Sequence, residues 1–190
     1  ISPVFIGGIA QPLLINSLDI IESKIGVRVE NVQSIEIGNA NTFKQLNVGV
    51  LSVNSNSKVF GLNNFQIKTD AVGIKAYQSY SGEVYNLEST NNQFSSIGSN
   101  NMGIYTNRTQ VNLQSNNLTG LKNGIYCDDI KSFSVVNENQ ISYCQRGIHV
   151  NNIIPSGVYL IAVASNNITN TKNGIHAVNL PSSPMSFSSS

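Results

Sequence analysis

Apolar and polar residues alternate in short runs along most of the chain. "VNLQS" (111–115) and "LIAVAS" (160–165) are typical. Asn and Gly break these runs, and no stretch sustains apolar residues at i, i+3 and i+4. Alternation with period two over three to five residues, closed by turn formers, predicts short strands joined by tight turns. The chain is therefore expected to be all-β.

The alternating runs recur as a longer unit. "SNNLTGLKNGIYCD" (115–128), "ENQISYCQRGIHVN" (138–151) and "SNNITNTKNGIHAV" (165–178) are versions of one motif. A glycine ahead of a β-branched apolar residue anchors each copy. These are Gly26, Gly49, Gly73, Gly103, Gly124, Gly147 and Gly174, at steps of 23, 24, 30, 21, 23 and 27 residues. An apolar column precedes the glycines: Ile20, Phe43, Phe65, Phe94, Leu118, Ile141 and Ile168. An Asn column lies two residues before it, at Asn41, Asn63, Asn92, Asn116, Asn139 and Asn166, with Leu18 in the first copy. "LNNFQIKTDAVGIKAY" (62–77) and "NNQFSSIGSNNMGIYTN" (91–107) carry two and three extra residues before their glycine.

A unit of this length with several strands cannot bury its own interior, but stacked copies can. Coils stacked at the strand spacing of about 4.8 Å place equivalent residues above one another. Asn side chains can then bond to their own copies as a ladder. Ile and Phe fill the core, and the glycines are expected to free the backbone for the turn before the next strand. The prediction is a parallel β-helix of about seven coils, roughly 30 Å long at that spacing. Residues 1–180 form this domain, read as a segment of a longer chain, with 5–16 as a partial first coil. Residues 181–190 read as a Ser/Pro-rich linker or a truncated next coil.

The sequence of Asn, apolar residue, polar turn and Gly-Ile resembles the repeats of the right-handed, pectate-lyase-like β-helix superfamily over roughly residues 14–179. The irregular, Asn-rich copying is similar to segments of secreted bacterial surface proteins. The resemblance implies a right-handed solenoid and an extracellular or cell-surface location. It implies no single activity, because polysaccharide lyases, hydrolases, tailspikes and adhesins share the fold.

Alternation assigns sides. The residue after each anchor glycine should point inward: Val27, Val50, Ile74, Ile104, Ile125, Ile148 and Ile175. The next should point outward: Arg28, Leu51, Lys75, Tyr105, Tyr126, His149 and His176. A second outward column follows with Glu30, Val53, Tyr77, Asn107, Asp128, Asn151 and Val178. Lys75, Tyr77, Tyr105, Asn107, Tyr126, Asp128, His149, Asn151 and His176 thus make one candidate ligand-binding stripe. Rings cover the apolar faces of sugars and amides bond their hydroxyls, so a polysaccharide or cell-surface glycan is the expected partner.

Composition narrows the alternatives. Charged residues are only 11% of the chain and net charge is +1, without clusters. Nucleic acid and anionic membranes both need clustered Lys or Arg, and neither is expected. No apolar run is long enough to insert in a bilayer. Cys127 and Cys144 fall at different places in the repeat and are expected to be free, buried thiols. His149 and His176 stack without a third ligand at metal-binding spacing, and nothing implies a metal or cofactor.

No catalytic constellation is evident. The groups nearest to one are Asp128, Arg146 and His149. Asp128-Asp129 is the only acidic pair, and paired carboxylates are the minimum for glycoside hydrolysis. Adjacent strand residues face opposite sides, however, so Asp129 would have to sit in a turn to help, and Asp128-Asp129 is read as a turn that breaks the strand. The Gly-His-Gly and Arg-x-Lys elements of polygalacturonase-like enzymes are absent. Arg146 is read as lying in a turn near His149. The expectation is a non-catalytic structural or adhesive protein. A carbohydrate-active enzyme, or a fragment of one, is the alternative, and a filament subunit that self-associates end to end is the third.

Overall fold

The computed structural model describes residues 4–7, 13–79, 84–130, 134–153, 161–179 and 186–189. These residues hold strands and turns and no helix. The chain winds as a parallel β-solenoid of about six turns, which are the intervals between the seven anchor glycines. The last of those glycines, Gly174, lies in the strand that closes the first sheet.

Each coil lays down three strands. The first coil has β1 (Val4–Gly7), β2 (Leu13–Ile15) and β3 (Asp19–Ile21). The next has β4 (Ile25–Glu30), β5 (Ile35–Ile37) and β6 (Thr42–Lys44), followed by β7 (Val48–Val53), β8 (Ser57–Phe60) and β9 (Asn64–Ile67). Then come β10 (Val72–Tyr77), β11 (Asn86–Thr90) and β12 (Gln93–Ser96), and β13 (Met102–Asn107), β14 (Gln110–Gln114) and β15 (Asn117–Thr119). β16 (Asn123–Ile130), β17 (Ser134–Asn137) and β18 (Gln140–Ser142) follow. β19 (Arg146–Ile153) leads to the long β20 (Ile161–Thr169), and the chain ends in β21 (Asn173–Val178) and β22 (Ser186–Ser189). Up to β19, strands three apart pair in parallel; the long β20 takes the place of two strands, so β18-β20, β19-β21 and β20-β22 pair two apart. The first sheet runs β1-β4-β7-β10-β13-β16-β19-β21. The second and third sheets meet in β20, which pairs with β17 through its first half and with β18 through its second.

The core follows the columns. Val27, Val50, Ile74, Ile104, Ile125 and Ile148 are fully buried and stack in register along the first sheet. Phe43, Phe65 and Phe94 face them from the third sheet, their rings stacked 4.6 and 4.7 Å apart. Burying each such side chain contributes roughly 1.5–3 kcal/mol. The Asn column is buried too. Asn41, Asn63, Asn92, Asn116 and Asn139 each donate through Nδ2 to the Oδ1 of the next Asn, at 2.7, 2.8, 3.3, 3.0 and 2.9 Å. Asn166 receives the last of these bonds. The ladder also satisfies backbone at the corner, for example the Val59 and Leu113 carbonyls.

The corners use left-handed backbone. One residue with φ between 47° and 64° sits at each of most corners, as at Ser115, Asp129 and Tyr143 of neighbouring corners. Asn or Asp holds nine of the 19 such non-glycine positions described, where its short polar side chain lowers the cost of that conformation. The residue before each ladder Asn is one of these, from Ala40 to Ser165.

The anchor glycines differ from expectation. They lie inside strands of the first sheet, not in turns, and their φ is not positive. Space requires them. A Cβ on Gly103 would meet Leu118 Cδ2 at 2.5 Å and the Gly124 carbonyl oxygen at 2.7 Å. The first and third sheets close on each other at this column, and only hydrogen fits. Gly174, at the end of the sheet, has nothing within 4 Å.

Cys127 and Cys144 are free and buried. Burial pushes the Cys127 thiol up to about 11.

Candidate functional site

The outer face of the first sheet carries the stripe. Register places Lys75, Tyr105, Tyr126, His149 and His176 in one column across β10, β13, β16, β19 and β21. Tyr77, Asn107, Asp128, Asn151 and Val178 form the adjacent column in the same strands. All ten are partly exposed. Inward Ile and outward Tyr or His alternate because the sheet is pleated, so the fold itself builds the stripe. Towards β4 the face changes. Arg28 pairs with Glu30 at 2.8 Å, and Leu51 and Val53 are only 8% and 3% exposed although they lie on the outer columns.

The rings contact one another along the column. Lys75 Nζ lies 5.7 Å from the ring centroids of both Tyr77 and Tyr105. Tyr105 meets Tyr126 edge-on at 5.4 Å and 77°. Tyr126 and His149 lie face to face at 4.4 Å and 9°. His149 meets His176 at 4.7 Å and 66°. One face of each ring of the central pair is thus covered by the other. A ligand on this column meets their edges, together with the turned rings of Tyr105 and His176.

The polar column is a second ladder, on the outside. Asn107 and Asn151 donate to the two oxygens of Asp128 at 3.2 and 2.9 Å. Val178 ends the column, and Asn179, one position past it, donates to Asn151 Oδ1 at 3.3 Å. A third column lies beside it at the corner. No turn breaks the strand at Asp128-Asp129, since β16 runs on to Ile130; instead one left-handed residue, Asp129 with φ 48°, sets its carboxylate between Arg108 Nε, at 3.4 Å, and Asn152 Nδ2, at 3.2 Å. Strict alternation hides Arg108 and Asn152 from a reading of the sequence. The signal that finds them is the recurrence of Asn, Asp or Arg one position past the second outward column.

Electrostatics mark the same patch. Burial first, and then the charges of Asp128 and Asp129 with Tyr126 close by, raise the Tyr105 phenol. Burial and Asp128 raise Tyr126, with Asn151 and Arg146 opposing. Burial, His176 and Arg146 push the His149 imidazole below its usual range, against a smaller pull from Asp128. The buried Nδ1 atoms of His149 and His176 have no hydrogen-bond partner among the described residues.

Of the catalytic candidates, Asp128 and His149 sit on adjacent rungs in adjacent columns. Arg146 is not in a turn. It opens β19, where its backbone N–H bonds the Lys122 carbonyl at 2.9 Å, and its guanidinium lies 3.5 Å from Asn123 Oδ1. Its charge reaches His149 without a direct contact. Among the described residues no group of three or more His, Cys, Asp or Glu is placed to hold a metal ion. Nor is any helix there long and apolar enough to cross a membrane. No family model, curated protein or solved structure matches the chain.

Proposed function

We propose that the protein is a non-catalytic, secreted or surface-displayed structural and adhesive solenoid of the right-handed type, with a glycan as the ligand of its first sheet. The observation that supports this reading is the state of the two carboxylates. Both oxygens of Asp128 accept amide bonds from Asn107 and Asn151, and Asp129 is held by Arg108 and Asn152. They serve as rungs of an external ladder. A general acid or nucleophile needs a carboxyl poised against a reacting bond. The same ladder presents amides of fixed spacing beside ring edges, which suits the repeating hydroxyls of a saccharide chain.

The test is retention of the purified protein on a broad panel of polysaccharides, beside a Tyr105→Ala/Tyr126→Ala variant, with release of reducing ends followed in parallel. The reading expects retention that the variant loses, and no release. Absence of retention overturns the glycan assignment. Release that disappears in Asp128→Asn overturns the non-catalytic assignment.

A further inference from the structure

The two copies with extra residues build a feature away from the stripe. Five corners leading from the third sheet into the first have three residues: 22–24, 45–47, 120–122, 143–145 and 170–172. The corner between β9 and β10 has four (68–71), and that between β12 and β13 has five (97–101). The longer corners stand proud of the short ones before them. Beside this step lies an open cleft of about 660 Å³, lined by Glu22, Lys24, Gln45, Asn47, Lys68 and Ile97 among others. Ligand clefts typically fall between about 300 and 1,000 Å³.

The step is held in shape. Asp70 N–H bonds the Ser99 carbonyl at 3.1 Å, and Ser99 N–H bonds Thr69 Oγ1 at 3.2 Å. Asn100 donates to Asp70, and Lys122 Nζ reaches Asn100 Oδ1 at 2.5 Å. The buried Asn101 amide donates to Ser96 Oγ at 2.8 Å and to the Ile67 carbonyl at 3.1 Å. Gly98 lets the two corners touch, because a Cβ there would lie 2.3 Å from Thr69 N.

Charge then identifies the ligand class. Lys122 binds the far side of the step, but Lys24 and Lys68 have no ion-pair partner among the described residues. Two ammoniums and the Glu22 carboxylate leave the cleft at net +1, which complements a monoanion. Gln45 and Asn47 supply amides for hydroxyls, and Ile97, 49% exposed, offers apolar surface. We propose that this corner step is a binding site for a small hydroxyl-rich ligand carrying one negative charge, a carboxylate or a sulfate ester. It lies on a different part of the solenoid from the stripe and does not depend on it.

The test is calorimetric titration of the protein with glucuronate, glucose 6-sulfate and glucose, with folding of every variant checked by circular dichroism. At least one charged sugar should bind tenfold or more tightly than glucose, and which one does so separates carboxylate from sulfate. Lys24→Gln/Lys68→Gln should lose that advantage. Ile97→Asp, which adds opposing charge at an exposed position, should weaken binding without unfolding the protein. Tyr105→Ala/Tyr126→Ala should leave it unchanged. Equal binding of charged and neutral sugars, no binding of either anion, or binding that survives the lysine changes overturns the proposal.

Discussion

Gly103 and Gly174 occupy the same column but different surroundings. A methyl on Gly103 would collide with Leu118 and with the backbone of the next coil, whereas one on Gly174 meets nothing. Gly103→Ala should therefore cost about 2–3 kcal/mol through overpacking, and Gly174→Ala less than about 0.5 kcal/mol, in urea unfolding. His149 gives a test by acid. Its folded pKa lies below that of the unfolded chain, so the native state prefers the neutral ring. The corresponding stability is complete above the unfolded value of about 6.5 and is lost as pH falls from there through the folded value. The melting temperature should fall between pH 7.5 and 5 by more in the natural protein than in His149→Gln, because the variant lacks this group. Cys127 is fully buried with its thiol raised to about 11. It should resist a thiol reagent at pH 8 until the protein is denatured, since the thiolate is the reactive form.

The two Asn ladders compare one chemistry inside and outside. Asn116 is buried, accepts from Ser89 Oγ and the Asn92 amide, and donates to the Ser89 carbonyl and to Asn139. Asn116→Ala should cost about 2–4 kcal/mol in urea unfolding, because it strands several buried partners. Asn107→Ala, a partly exposed rung on the outer ladder, should stay within about 1 kcal/mol, since water replaces the lost bond. The inner ladder is legible in the sequence, because six asparagines at one register leave no other role once coils are stacked. The inward Ile and outward Tyr and His columns are legible for the same reason. The glycines mislead, because a glycine after a polar stretch reads as a turn, while the need for hydrogen at that column comes from the facing sheet. The corners are silent in the sequence. Serine, glutamate, leucine and tyrosine all adopt positive φ there, and none signals it. The left-handed residue at Asp129 reverses the alternation; the acidic pair hinted at a break there, but Arg108 and Asn152 join the outer face unannounced. The inserted residues were visible as a break in the repeat, but their step against the shorter corners exists only in three dimensions.

At the scale of the whole molecule, one property underlies both the core and the stripe. Stacked coils in register fix which side of the first sheet faces the core, and the stripe and the outer ladder follow from that register. Ile125 and Tyr126 are neighbours in β16, one fully buried and one partly exposed. The most direct measurement is urea unfolding of Ile125→Asp and Tyr126→Ala beside the natural protein. An aspartate in place of Ile125 buries an unpaired charge and should abolish cooperative unfolding or lower stability by more than about 4 kcal/mol. Tyr126→Ala should lie within about 1 kcal/mol of the natural protein, as expected for a surface strand position. Similar losses from the two changes would contradict the assignment of inner and outer faces.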